Sequence, residues 1–165
     1  MLEKLLLFFM AYIVQVDIAM AQQARPSPQK ATKIIIIETG GGFVASSHEF
    51  TITHDSIIVQ FIEDVENGNI KSRYAKAINS NIFNNLSAPF HKIYLSQIKS
   101  SYEGPSLMNH DWSYYVAITK GEYVKETQIY KYKLVPLLLL CKKLNMLLPK
   151  EFNISYTKTY LEDKY

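Results

Sequence analysis

Lys33-Ile34-Ile35-Ile36-Ile37-Glu38-Thr39 is the stretch on which the fold turns. Four consecutive isoleucines place β-branched side chains, stiff at χ1 and suited to a pleated surface, at every position of a short run. Apolar residues on both parities predict a strand buried on both faces, and therefore one at the centre of a sheet. Gly40-Gly41-Gly42 closes the run. Glycine there permits a turn or bulge into the next strand, and it also lets a backbone approach a ligand or partner closely.

Downstream, His48, Phe50, Ile52 and His54 share one parity and Glu49, Thr51, Thr53 and Asp55 the other, the mark of a half-buried strand. Thr53-His54-Asp55-Ser56 reads as a turn, and Ser56 to Glu63, SIIVQFIE, as a third strand. Asp64 to Asn69 is a polar loop. In Ser72 to Leu86, residues Ala75, Ile78, Ile82 and Leu86 fall on one helical stripe, with Ser72 as N-cap. Phe90 to Ile98 predicts a shorter helical piece with Pro89 in its first turn.

Trp112, Tyr114, Val116 and Ile118 then alternate with Ser113, Tyr115, Ala117 and Thr119. Lys120-Gly121 turns the chain, and Tyr123 to Tyr132 runs back as the second arm of a hairpin. Leu134 to Leu148 predicts a final helix: Pro136 suits a first turn, and Leu137, Cys141, Leu144 and Leu148 line one face. Pro149 ends it. The order β-β-β-α-β-β-α predicts an α+β fold, an antiparallel sheet of about five strands with helices packed on one face. It occupies residues 32–149 as one domain. Residues 150–165 form a C-terminal tail, either an extra strand or a frayed end.

Upstream, Met1 to Ala21 reads MLEKLLLFFMAYIVQVDIAMA. Lys4, an apolar run from Leu5 to Val16 and the small pair Ala19 and Ala21 have the anatomy of a cleavable signal peptide. The run is shorter than the roughly 20 residues a spanning helix needs. Cleavage before Gln22 leaves 165 less 21, or 144 residues, and Gln22 to Ala31 reads as a disordered leader with two prolines. These features predict a periplasmic or extracellular protein with no membrane span after cleavage. Removing Lys4, Glu3 and Asp17 takes the 18 basic and 15 acidic residues to 17 and 13. That mild excess does not mark a nucleic-acid binder. Cys141 is the only cysteine, so packing rather than an internal disulfide holds the domain.

No catalytic constellation emerges, and the chain reads as non-enzymatic. GxGxxG and the P-loop lysine are absent, which argues against phosphate binding at the glycines. His48, His54, His91 and His110 form no HExxH or close ligand pair, so no metal or cofactor is expected. Cys141 sits in an apolar stripe, where cysteine acts as a small hydrophobe. Glu63, Asp64 and Glu66 cluster in a solvated loop. Twelve tyrosines suit strands and interfaces.

Two pieces read together: an apolar strand running into Gly41-Gly42-Phe43, and Asp111-Trp112-Ser113-Tyr114-Tyr115-Val116 before a hairpin, Pro136 and a leucine-rich helix. The pattern resembles emfourin-like proteins, a family of small metallopeptidase inhibitors. It also resembles short exported Bacteroidota proteins with a Gly-Gly-Gly-Phe motif. Ala45 stands where the family commonly has glycine, and Ala88 to Asn109 is longer. The resemblance implies a protein-binding module, with an exported thermolysin-type metallopeptidase as partner. Gly40, Gly41, Gly42, Phe43 and Val44 then form the partner-binding loop, Phe43 filling a hydrophobic pocket, and Glu103 to His110 a second contact. The alternative is a cell-envelope structural domain, or one that binds glycan or peptide through Tyr115, Tyr130 and Tyr132. A small hydrolase is the third reading.

Overall fold

The computed structural model describes residues 30–40, 46–64, 68–104 and 112–156. The expected signal peptide, most of the expected leader, Gly41 to Val44, His110, Asp111 and residues 157–165 lie outside them. Seven strands and two helices follow in order: β1 Lys33–Thr39, β2 Ser47–Thr53, β3 Ser56–Asp64, β4 Asn69–Ala77, α1 Ser80–His91, β5 Ser101–Glu103, β6 Ser113–Lys120, β7 Tyr123–Tyr130 and α2 Val135–Asn145. They form one sheet in the order β4-β3-β2-β1-β6-β7-β5, so the isoleucine strand is the middle one of seven. The general α+β class is as expected.

Register explains the core. Ile34 pairs with Ile52 and Ile118, and Ile36 with Phe50 and Val116; Phe50 and Ile52 pair onward with Val59 and Ile57. All of these are fully buried, or within 1% of it. Both helices and the segment after them cover this face. Phe83, Leu86 and Phe90 of α1 and Leu137, Leu140, Cys141 and Leu144 of α2 join the same apolar cluster. At about 1.5–3 kcal/mol per large apolar side chain, this burial is the main favourable term in folding.

Three details differ from the sequence reading, each for a local reason. Ser72 to Leu86 is not one helix: Asn69–Ala77 is β4, and α1 begins at Ser80 behind Asn79, whose Oδ1 accepts from Ile82 N–H at 3.0 Å. β4 is an edge strand in which only Tyr74 and Lys76 are half-buried, so its apolar alternation is faint. Pro89 lies in the last turn of α1 rather than opening a second helix, and Phe90 to Ile98 supplies only a 3-10 turn at Leu95–Gln97. The proline has no N–H for the Asn85 carbonyl. Lys143 Nζ from α2 replaces it, donating to Asn85 O and Oδ1 at 2.7 Å each.

The third difference is the strand count, seven instead of about five, and the sheet is mixed. Three-residue β5 runs parallel to β7. Gly104 permits this, since its N–H donates to Tyr130 O at 2.9 Å and a Cβ there would lie 1.8 Å from Lys131 O. Lys131 itself has φ 50°, in the left-handed region that L residues seldom adopt. The β6–β7 hairpin forms as expected, with Gly121 at φ 60° in the two-residue turn. Of the stretch from residue 150, the described part turns at Lys150–Phe152 and sends Ile154 and Tyr156 into the core. No helix among the described residues is long and apolar enough to cross a membrane.

Candidate functional site

The isoleucine run has two faces, and the helices cover one. Ile34 and Ile36 are buried beneath them, whereas Ile35 and Ile37 point to the opposite face and stay half-buried. Cross-strand pairing extends that face as a row Ile35–Thr51–Ile58–Ala75 and a second row Ile37–Glu49–Gln60–Arg73. Ile62 and Tyr115 are half-buried on it too. No described helix or strand lies over it. One-sided antiparallel sheets ordinarily turn polar residues to water, so four isoleucines and a tyrosine here form an unusual surface.

The glycine-rich segment leaves this sheet at the end of β1. Gly40 N–H donates to Ser46 O at 3.2 Å, closing the base of the loop. The ring of Trp112 lies against Gly40, with two ring atoms 3.0 Å from where a Cβ would be. Gly40 is therefore a seat for the only tryptophan as well as the root of the loop. Gly41, Gly42, Phe43 and Val44 lie outside the described residues, as does most of Glu103 to His110.

The tyrosines divide between the two faces. Tyr115 and Tyr130 are diagonal neighbours on the open face, since Tyr115 pairs with Gln128 and Ser113 with Tyr130. Burial and then the Glu126 carboxylate raise the Tyr115 phenol above its usual range. Lys131 Nζ stands 5.2 Å from the centre of the Tyr130 ring. Tyr132 does not join them: its ring lies tilted against Tyr102, with centroids 5.1 Å apart, and its carbonyl accepts from Tyr156 Oη at 2.8 Å.

Beneath the root of the loop lies a polar cluster that the sequence reading did not single out. Glu38 continues the buried parity of Ile34 and Ile36 and is 1% exposed. Its Oε1 accepts from the Ser155 N–H at 2.8 Å and from the Ser155 hydroxyl. Ser155 Oγ also lies 3.2 Å from Tyr114 Oη. His48 Nδ1 is 3.8 Å from Glu38 Oε2, too long for a hydrogen bond, and the ring lies tilted against Phe61, with centroids 4.8 Å apart. Burial lowers the His48 pKa, which keeps the ring neutral. A serine, a carboxylate and a histidine thus meet, but the carboxylate stands between the other two. A nucleophilic triad places the imidazole next to the serine. The arrangement locks the segment around Ser155 to the central strand.

The remaining titratable candidates are dispersed. His54 is exposed in the β2–β3 turn, 3.9 Å from Asp55, whose carboxyl is held below its usual range by hydrogen bonds from Thr53 and Ser56. His91 ends α1, with Nε2 2.9 Å from Ser87 Oγ. Cys141 is fully buried, and burial together with the Glu38 charge pushes its thiol well up, away from a reactive thiolate. Among the described residues no three His, Cys, Asp or Glu side chains group as metal ligands. No protein-family model matches this chain, and no curated protein sequence matches it.

Proposed function

We propose that this chain is an exported, non-enzymatic module that binds another protein through the open face of its sheet and the adjoining glycine-rich loop. One observation carries the reading. The sequence of β1 is written for burial on both faces, and the described fold supplies a cover for only one. A partner laid across Ile35, Ile37, Ile58 and Tyr115 would complete that burial, at about 25 cal/mol for each Å² of apolar surface removed from water. Gly40, the root of the loop, stands at the edge of the same surface, so one partner can meet both. Export rests on Met1 to Ala21.

The narrower proposal, from the emfourin-like resemblance, is inhibition of a thermolysin-type metallopeptidase, with Phe43 entering an apolar pocket. A rigid sheet behind the loop lowers the ordering cost of binding. The test is titration of the chain from Gln22 into such a peptidase while cleavage of a small peptide is followed. Stoichiometric loss of activity with the added chain intact is the expected result. Phe43→Ala and Gly42→Asp then weaken the complex at unchanged Tm. Unchanged peptidase activity removes this target class and leaves the broader module. A second reading, an envelope domain that binds glycan or peptide, has the adjacency of Tyr115 and Tyr130 in its favour. It predicts that Tyr115→Ala lowers retention on cell-envelope glycan.

A further inference from the structure

The sheet ends on one side at β4, a nine-residue edge, and on the other at the three residues of β5. β4 is regularly paired with β3 from Ser56–Ala77 to Phe61–Ser72. Ile78 N–H donates to Asp55 O at 2.8 Å just beyond that register. The alternation of an antiparallel ladder then turns the N–H and C=O groups of Arg73, Ala75 and Ala77 outward. A row of outward backbone groups is a template for an added strand.

The side chains specify which strand fits. β4 reads NIKSRYAKA, with three cations and no carboxylate. Lys71 is engaged by Glu63 at 2.5 Å, and Lys76 Nζ donates to Leu147 O at 2.9 Å. Arg73 is exposed and has no polar partner among the described residues. Two residues along on the same open face, Ala75 ends the row that begins at Ile35. Its single methyl group leaves Ile58 half-buried, with space for a larger apolar side chain arriving from the next strand. On the helix side Tyr74 stacks on Phe152 at 5.2 Å, which closes that face of the edge. A second copy of β4 would bring three more cations and another alanine, so self-pairing leaves both the charge and the apolar row unanswered.

We infer that β4 accepts an extended acidic segment of another protein as an eighth strand. That segment places a carboxylate opposite Arg73 and a branched apolar residue opposite Ala75. The inference rests on the protein-binding reading above but concerns a different surface from the glycine-rich loop.

The test uses two blocked, fluorescein-labelled peptides titrated into the purified protein and followed by anisotropy. One is Thr-Asp-Thr-Ile-Thr-Asp, the other the same peptide with lysine for aspartate. The acidic peptide is expected to bind at least tenfold more tightly. Ala75→Pro removes an outward N–H that β3 does not use, and edge strands tolerate proline at such positions. It should abolish binding at unchanged Tm. Arg73→Glu should reverse the preference toward the lysine peptide, a gain that misfolding cannot imitate. Three results overturn the inference: neither peptide binds, both bind equally, or Arg73→Glu leaves the preference unchanged. A dimer dissolved by Ala75→Pro would equally overturn it, by making a second copy the occupant. Phe43→Ala should leave peptide binding intact. A failure at the edge and a failure of the loop reading are thereby told apart.

Discussion

Ser155 donates twice to the Glu38 carboxylate, through its backbone N–H and through its hydroxyl, and both bonds end on Oε1. The carboxylate is buried in the central strand, and the serine belongs to the last described turn of the chain. The pair ties residues 153–156 to β1, helped by Asn145, which exchanges two hydrogen bonds of 2.9 Å with the backbone of Ile154. Removing the acceptor takes away the carboxylate partner of both donors in a part-buried setting and leaves the hydroxyl only Tyr114 Oη at 3.2 Å. Glu38→Ala should therefore cost about 2–3 kcal/mol in urea unfolding, the scale of lost charge-assisted hydrogen bonds. Glu38→Gln keeps an acceptor oxygen and should cost less. Equal losses would show that the hydrogen bonds are not what Glu38 contributes.

Lys120 performs a comparable task at the other end of the core face. It follows Tyr114, Val116 and Ile118 in parity and is 4% exposed. Its Nζ donates to Phe90 O at 2.8 Å, in the last turn of α1, where the same carbonyl accepts from Ile93 N–H at 3.3 Å, and to Ile93 O at 2.6 Å just beyond the helix. Lys120→Met keeps the aliphatic stem and removes the donor. It should destabilise the fold by about 1–3 kcal/mol, with faster amide exchange in the last turn of α1 than in β1. Uniform loss of protection would sink the local assignment.

Thr127 presents the opposite case. Its residue is 2% exposed on the core face of β7, and its Oγ1 has no hydrogen-bond partner among the described residues. Thr127→Val has the same shape without the hydroxyl. It should raise stability by about 1 kcal/mol, read as a higher midpoint in urea at unchanged slope.

Much of this architecture is written locally. The isoleucine run specifies a central strand because β-branched residues on both parities fit little else. The β6–β7 hairpin is legible from strict alternation around Gly121, and α2 from leucines at helical spacing behind Pro136. β4 is not legible in that way. An edge strand has one neighbour and few buried positions, so NIKSRYAKA shows weak alternation while Ala75 and Ile78 fall on a helical spacing by chance. Glu38 and Lys120 had a signal: each is a charged residue at the strand end on the parity that is otherwise apolar. What each bonds to depends on elements 27 to 117 residues away, which no local pattern contains. Among the proposed loop residues, only Gly40 has a described environment, and its contact with Trp112 joins two segments that the sequence keeps far apart.

His91 gives the fold a pH dependence with a defined sign. Burial, and then the positive charges of Lys30 and Lys120, lower its pKa from 6.5. The folded chain thus holds this ring neutral where the unfolded chain would protonate it. The unfolded state binds the extra proton first as pH falls below 6.5, so stability is full above that value and declines as pH drops through the folded value. His91→Gln, which keeps a partner for Ser87, should flatten the fall in Tm between pH 7 and pH 5. An unchanged slope would assign the acid sensitivity to other groups, beginning with His48, whose pKa burial also lowers.

Trp112 makes the root of the glycine-rich loop directly observable. It is the only tryptophan, and its ring occupies the space a side chain at Gly40 would need. A Cβ at 3.0 Å from two ring atoms is closer than packed carbons sit, so one group must move. The backbone of Gly40 is held by its bond to Ser46, and the ring is the freer of the two. Gly40→Ala should push the indole outward, with red-shifted emission, stronger acrylamide quenching and unchanged far-UV circular dichroism. Because Gly40 is the root of the loop, the variant should bind a loop-directed partner less well than wild type. Phe43→Ala, by contrast, should weaken the same partner with emission unaltered. If Gly40→Ala leaves the emission unchanged, the indole does not report on the loop. If emission shifts while partner affinity is retained, the loop is not the contact and the open face of the sheet carries the binding alone.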